Sequence, residues 1–203
     1  MVFVYFADCS GLLDLVFILD SSGSITRERF ELVKKIVIST VNELDVRMDR
    51  TRVGLIYWSN NASVAIHMND YGQVKQDVVE AIRRVPFLSN WTHSAHALRL
   101  SYQQSFQTDN GDRAGVPNVA VVITDGNSNV QAHRTAVEAA IGRRNGIRNV
   151  AVGLGDLVNV AELSLIASKP LNANMLIYPN VEEHVDELLD NLTAALLQTT
   201  CDG

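Results

Sequence analysis

Residues 15–24 read LVFILDSSGS, an apolar run that ends in one carboxylate and three hydroxyl-bearing side chains. Five consecutive apolar residues are typical of a strand that is buried on both faces of a sheet. The polar residues that follow, Asp20–Ser24, then lie in a turn at the carboxyl end of that strand. None of them is a strong nucleophile or a strong base, and all offer hard oxygen atoms, which suit Mg²⁺, Mn²⁺ or Ca²⁺. The stretch predicts a buried strand that leads into a candidate cation site.

Strand and helix patterns alternate along the rest of the chain. Two more apolar runs, Val119–Ile123 and Val150–Leu154, have the character of strands buried on both faces. The predicted strands are Leu13–Leu19, Arg52–Trp58, Ala62–Met68, Val119–Thr124, Val150–Leu154 and Met175–Tyr178. The predicted helices are Arg27–Leu44, Val74–Val85, Ser94–Phe106, Ala132–Arg144, Val160–Ala167 and Val181–Gln198.

This alternation predicts an α/β fold, with an open, mostly parallel sheet and helices on both faces. The second and third strands are separated only by Ser59–Asn61, and so short a link predicts an antiparallel hairpin. No linker rich in proline or glycine divides the 203 residues, of which 47% are hydrophobic. That composition is enough for one core, so we predict one domain.

The expected ligand site lies beyond the carboxyl ends of the strands, where the strand order reverses. Asp20–Ser24 follows the first strand, and Thr124–Gly126 follows the strand Val119–Ile123. If these two strands are neighbours, both carboxylates face a common point. A third loop, Phe87–Thr92, adds a hydroxyl. The predicted metal ligands are Asp20, Ser22, Ser24, Thr92 and Asp125.

The charge of this set has a consequence for ligand binding. Two carboxylates neutralise a divalent cation and hydroxyls add no charge, so the metal can still accept a carboxylate from a partner. The competing interpretation is that Asp20 and Asp125 only cap helices, because Asp is favoured at helix N-termini. Capping alone does not explain three loops with the same chemistry.

Two cysteines, Cys9 and Cys201, bracket the predicted elements, which favours a disulfide in a secreted protein. The alternative is two unrelated reduced thiols. Sequons at Asn61, Asn90 and Asn191 are candidate glycosylation sites and also favour secretion.

Other functional classes are disfavoured by composition or by missing motifs. The net charge of −6 argues against nucleic-acid binding. The sequence contains no run of 18 apolar residues, the length that a membrane-spanning helix needs. The first strand–helix turn lacks the glycine pattern of a dinucleotide site, and no nucleophile elbow follows a strand. Ser22 stands where an aspartate-type phosphotransferase would need a second carboxylate. We therefore predict that the protein is not an enzyme.

The residues Asp20-x-Ser22-x-Ser24, Thr92 and Thr124–Gly126 resemble, in order and context, the metal-ion-dependent adhesion site of von Willebrand factor A domains. The lead-in 14–20 and the run 150–155 are also similar to that family. The resemblance covers residues 9–201 as a single domain. Residues 1–8 are then an N-terminal extension, a vector remnant or the end of a removed signal.

The resemblance implies a doubly wound, mostly parallel six-stranded sheet with one antiparallel edge strand. It implies bound Mg²⁺ or Mn²⁺, with Ca²⁺ less suited. The implied function is adhesion to an extracellular matrix protein, with collagen as the first guess, by a secreted domain of a larger multidomain protein. Matrilins, collagen-associated A domains and invertebrate byssal proteins are the expected kin. The alternative is a structural or assembly module whose interactions do not depend on the metal.

The resemblance also suggests a rim of residues that contact the partner around the metal. The predicted rim residues are Ser21, Trp91, His93, Gly126 and Asn127. Trp91 has a second interpretation, as an aromatic anchor that packs its own loop.

Overall fold

The structure is a computed structural model that describes residues 11–126, 128–129 and 131–200. Its strands are β1 (Leu13–Asp20), β2 (Thr51–Trp58), β3 (Ala62–Ile66), β4 (Asn118–Thr124), β5 (Ile147–Leu154) and β6 (Met175–Tyr178). They form one six-stranded sheet in the order β3-β2-β1-β4-β5-β6. The edge strand β3 is antiparallel to β2, and the other neighbours are parallel. The predicted fold class is confirmed.

The helices surround this sheet. Within the described residues they are α1 (Arg27–Glu43), α2 (Lys75–Arg83), α3 (Ser94–Leu100), α4 (Ala132–Arg144), α5 (Val160–Ile166), α6 (Leu171–Asn174) and α7 (Val185–Thr199). The predicted helix 94–106 changes from α to π hydrogen bonding at Ser101. The predicted helix 181–198 is divided, because a 3₁₀ turn at Val181–Glu183 precedes α7. The four-residue α6 was not predicted, since it is too short to show a helical period.

The core has two layers because β1 is buried on both faces. All eight residues of β1 are buried, and successive side chains point to opposite sides. Leu13, Leu15, Phe17 and Leu19 pack with α1, α2 and α7. Val16 and Ile18 pack with α3, α4 and α5 on the other face. The sheet therefore lies between two helical layers, as the apolar runs predict.

The central strands β1 and β4 are neighbours, which is the condition that the predicted site requires. Their register pairs Leu19 with Ile123, so the next residues, Asp20 and Thr124, leave the sheet side by side. The strand order reverses between β1 and β4, with β2 on the far side of β1. The loops after β1 and β4 therefore meet at one edge.

A buried ion pair lies at the opposite end of the sheet, between Asp14 of β1 and Arg113 of the segment that precedes β4. Asp14 on β1 is fully buried. Its Oδ1 accepts hydrogen bonds from Arg113 Nε at 2.9 Å and Nη2 at 2.6 Å, and its Oδ2 accepts one from Arg113 N at 2.7 Å. Burial raises the pKa of the Asp14 carboxyl, and the hydrogen bonds and charge of Arg113 oppose that shift. The carboxylate thus depends on Arg113 for compensation.

We expect Arg113→Met to lower the free energy of unfolding by about 3 kcal/mol or more, because it leaves Asp14 buried without its partner. Urea denaturation measures this effect. The double variant Asp14→Leu/Arg113→Met removes both charges and should recover most of the loss. Equal destabilisation of the single and double variants would show that packing by Arg113, rather than charge compensation, explains the effect.

Candidate functional site

The first loop of the candidate site holds Asp20 firmly at the end of β1. The side chain is 1% exposed. Its Oδ1 accepts a hydrogen bond from Ser22 N at 2.9 Å, and its Oδ2 accepts one from Thr124 Oγ1 at 2.7 Å. Thr124 Oγ1 in turn accepts one from Gly126 N at 2.9 Å. Asp20 is therefore oriented both by its own turn and by the end of β4.

The two serine hydroxyls that were predicted as ligands lie next to each other. Ser22 Oγ and Ser24 Oγ are 3.1 Å apart, so the alternate residues of this turn point the same way. Ser22 is buried and Ser24 is exposed. The turn thus presents a carboxylate and two hydroxyls within a single short segment.

Ser21, between Asp20 and Ser22, has a different role from the one predicted. It is fully buried. Its Oγ donates to Pro86 O at 3.0 Å and accepts from Leu88 N at 2.8 Å, which ties the first loop to the third. Gly23 N adds a bond to Asn90 O at 2.9 Å. The prediction that Ser21 contacts a partner is wrong, because its hydroxyl is used inside the protein.

Thr92 is brought to the site by contacts with the segment that follows Asp125. The threonine is 2% exposed. Asn129 Oδ1 accepts from Thr92 N at 2.9 Å, and Asn129 N donates to Thr92 O at 3.1 Å. Ser128 Oγ also donates to Thr92 O, at 3.4 Å. The sequence analysis missed Asn129, because its only signal is a polar side chain shortly after the predicted ligand Asp125.

The electrostatics of the site are dominated by two buried carboxyl groups. Asp125 is 6% exposed, and its charge acts on the buried Asp20. Burial raises the pKa of Asp20 to about 7; the hydrogen bonds from Ser22 and Thr124 oppose the shift, and the negative charge of Asp125 adds to it. No described lysine, arginine or histidine forms an ion pair with Asp20. Such a pair of acids, with hydroxyls beside it, is suited to a divalent cation.

The donor set differs from that of a site built on charged ligands alone. Among the described residues, no group of three or more His, Cys, Asp or Glu side chains is placed to hold a metal ion. A cation at the carboxyl edge would therefore depend on the hydroxyls of Ser22, Ser24 and Thr92 to fill its shell.

The predicted rim is only partly at the surface. Trp91 is 66% exposed, and its backbone N donates to Asn60 Oδ1 at 3.0 Å. His93 is half-buried, with Nδ1 3.3 Å from Asn60 O. Gly126 is buried, so the prediction of a partner contact at Gly126 is wrong. Asn127 lies outside the described residues.

Three residues after β5 also border the site, and the sequence analysis did not find them. Leu157 is 83% exposed in the loop that joins β5 to α5. Asn159 N donates to Asp125 O at 2.9 Å. Glu162 Oε2 accepts from Ser128 N at 3.1 Å. Burial raises the pKa of Glu162, and the charge of Asp125 acts in the same direction. The available signal was the N-x-x-E pattern of a capped helix start.

The remaining predicted features are the disulfide, the glycosylation sites and the absence of a membrane span. Cys9 and Cys201 are outside the described part of the chain, so the disulfide stays a prediction. The sequon residues Asn61, Asn90 and Asn191 are exposed, and Asn191 Nδ2 donates to Tyr178 Oη at 2.7 Å. Within the described ranges, no helix combines the length and apolar character needed to cross a membrane.

Comparison with known proteins identifies relatives among matrix proteins. Matrilin-1 of Gallus gallus is 36% identical over 167 residues, which cover 80% of this chain and 33% of matrilin-1. The collagen alpha-4(VI) chain of Mus musculus is 33% identical over 190 residues, covering 93% of this chain and 8% of the collagen chain. This chain therefore spans a third or less of the length of both relatives.

Solved structures share the fold. Proximal thread matrix protein 1 from the mussel byssus, in crystal form 2, superposes with a TM-score of 0.81 at 22% identity, over 95% of this chain and 49% of that protein. A second structure of the mussel protein, with a zinc-occupied MIDAS motif, has a TM-score of 0.78 at 23% identity, over 92% of this chain and 47% of that one.

The family profile of the von Willebrand factor type A domain matches residues 14–191, nearly the whole described sheet and its helices. Relatives at 33–36% identity cover most of the chain. The chain belongs to the von Willebrand factor type A domain family.

Proposed function

We propose that this domain is an extracellular adhesion module that binds a matrix protein through a divalent cation, Mg²⁺ or Mn²⁺. The observation that carries the proposal is the burial of both Asp20 and Asp125 at the carboxyl edge of β1 and β4, where the charge of Asp125 acts on Asp20. Two ionised carboxylates in a desolvated site repel each other, and a divalent cation between them compensates both charges.

The residues around these acids fit such an ion. Asp20, Ser22, Ser24, Thr92 and Asp125 supply hard oxygen atoms from three loops that are tied together by backbone and side-chain hydrogen bonds. A cation held by two carboxylates and neutral hydroxyls carries no excess negative charge. Its remaining position can therefore accept an acidic side chain from another molecule.

The relatives indicate the class of protein to which this partner belongs. They include matrilins and a collagen chain, and the shared fold includes a mussel thread matrix protein. We infer a secreted domain of a larger matrix protein, bounded by Cys9 and Cys201, with a collagen as the first ligand to test. A non-enzymatic role is in keeping with these relatives, which are matrix proteins.

Two exposed apolar side chains, Trp91 and Leu157, lie in loops of this face. They are 66% and 83% exposed and belong to the loops before α3 and α5. Trp91 adjoins the proposed ligand Thr92, and Leu157 is two residues from Asn159, which bonds Asp125 O. Exposed apolar side chains beside a polar centre are suited to a protein contact.

We expect Asp20→Ala to abolish cation binding, because the variant removes the best-buried carboxylate of the set. Titration calorimetry with Mn²⁺ should show a rise of more than about 100-fold in the dissociation constant. That rise is larger than the effect of replacing a residue that only orients a metal ligand. Asp156→Ala is the matched control, since Asp156 is an exposed aspartate in the β5–α5 loop. Unchanged Mn²⁺ affinity in Asp20→Ala would refute the metal site.

The pH dependence follows from the raised pKa of Asp20. Without metal, the folded protein keeps a proton on Asp20 up to a pH of about 7, whereas the unfolded chain releases it near the ordinary value of 3.8. This group therefore stabilises the fold at low pH, and its contribution is lost as the pH rises through about 7. Mn²⁺ affinity should rise over the same range, because the cation displaces the proton.

Denaturation of the metal-free protein between pH of about 5 and 8 checks this sign. The variant Asp20→Asn cannot titrate at this position, so its stability should decline less over that range than that of the wild-type protein. Parallel stability profiles for the two proteins would contradict the assignment of the proton to Asp20.

Binding to surface-coated matrix proteins, beginning with collagens, tests the adhesion function in Mg²⁺ and in EDTA. We expect binding that EDTA abolishes, and Trp91→Ala should weaken it about 10-fold or more without changing Mn²⁺ affinity. Leu165→Ala is the control, because Leu165 is 50% exposed on α5. Binding that persists in EDTA and in Asp20→Ala would favour a metal-independent assembly module instead.

A further inference from the structure

The start of α5 contains an incomplete helix cap. Asn159 is the N-cap residue and Glu162 is the third residue of the helix. In a complete capping box, each side chain accepts a hydrogen bond from the other residue's backbone N–H. Asn159 Oδ1 does accept from Glu162 N, at 3.1 Å. The reciprocal bond is replaced, because Asn159 N donates to Asp125 O and Glu162 Oε2 accepts from Ser128 N.

The two replaced bonds hold both ends of the loop that carries Asp125. Asn159 N fixes the carbonyl of Asp125 at 2.9 Å, and Glu162 fixes the amide of Ser128 at 3.1 Å. Between these points, Gly126 has a φ of +73° and lies so close to Asn159 that a Cβ would be 3.0 Å from its carbonyl oxygen. The start of α5 therefore packs against this turn and restrains both of its ends.

The restraint from α5 also extends to a second proposed ligand, Thr92. Ser128 is followed by Asn129, whose side chain and backbone both bond to Thr92. The amide that Glu162 holds is thus one residue away from the contacts that position Thr92. One carboxylate on α5 restrains the loop of Asp125 directly and the loop of Thr92 through Asn129.

Glu162 is an unusual residue for a purely structural position. It is 8% exposed, and no described cationic side chain forms an ion pair with it. Burial raises the pKa of Glu162, and the amide of Ser128 and the nearby hydroxyls of Ser94 and Thr135 oppose that shift. A buried carboxyl group without a cationic partner depends on such hydrogen bonds, and the bond to Ser128 N is the one that reaches the loop of Asp125.

We propose that Glu162 is a positioning residue for the metal site, and that its bond to Ser128 N holds the loops of Asp125 and Thr92 in the geometry that a cation requires. This inference rests on the proposed metal site. Residues that orient metal ligands in this way commonly change metal affinity 10–100-fold when they are replaced.

Two conservative variants distinguish the effect of side-chain length at position 162 from the effect of its charge. Glu162→Gln keeps an acceptor oxygen at the same distance from Ser128 N but removes the charge. Glu162→Asp keeps the charge but is one methylene too short to reach that amide. We expect the dissociation constant for Mn²⁺, measured by titration calorimetry, to stay within about threefold of wild type in Glu162→Gln and to rise about 10-fold or more in Glu162→Asp.

Glu138 on α4 supplies the matched control. It is also a buried helical glutamate, but it accepts hydrogen bonds from Arg99 and Tyr102 between α3 and α4. Glu138→Asp should lower thermal stability and leave Mn²⁺ affinity unchanged. Thermal unfolding in EDTA shows that each variant is folded before titration.

The outcomes distinguish this inference from the metal site itself. Wild-type affinity in Glu162→Asp, or an equal loss in Glu138→Asp, would overturn the positioning role and leave the metal site intact. A loss in Glu162→Gln as large as in Glu162→Asp would also overturn it, because charge rather than the bond to Ser128 would then be responsible. Absence of Mn²⁺ binding by the wild-type protein would overturn both proposals.

Discussion

The hydrogen bond from Thr124 Oγ1 to Asp20 Oδ2 joins the carboxyl ends of the two central strands. It exists because the register of β1 and β4 places these residues side by side, directly after the pair Leu19 and Ile123. That register is fixed by apolar side chains that alternate between two cores. A slip by one residue would exchange the faces of every side chain on the strand. The position of the buried carboxylate is thus set by the packing of the whole sheet.

The sheet was predictable because buried strands appear in the sequence as continuous apolar runs. The residues at which the strands begin and end were harder to predict. β5 begins at Ile147, three residues before the predicted start at Val150. The added residues include Arg148 and Asn149, which are polar yet belong to the strand. Arg148 Nε donates to Asn174 Oδ1, and Asn149 Nδ2 donates to Ile166 O. Contacts from distant parts of the chain satisfy them, and a local pattern cannot show such contacts.

The same limit applies to the site. The set of proposed ligands could be identified from residue type and from position after a strand, since parallel strands end at a common edge. The direction of each side chain in a turn could not. Ser21 lies between two proposed ligands but turns inward, because its hydroxyl bonds to the backbone at Pro86 and Leu88. Asn129 and Glu162 were missed because their contacts join loops that are distant in sequence.

Burial of Asp20 has opposite consequences for the fold and for cation binding. In the metal-free protein, desolvation disfavours the ionised carboxylate, so the site is a source of instability above a pH of about 7. The same desolvation strengthens the attraction between the carboxylates and a cation, because the surrounding dielectric constant is low. A cation that binds only the folded protein also stabilises it by mass action. Hydrogen bonds already order the loops around Asp20, and the proposed cation would add to their stability, so an acidic partner would meet a face that is already fixed.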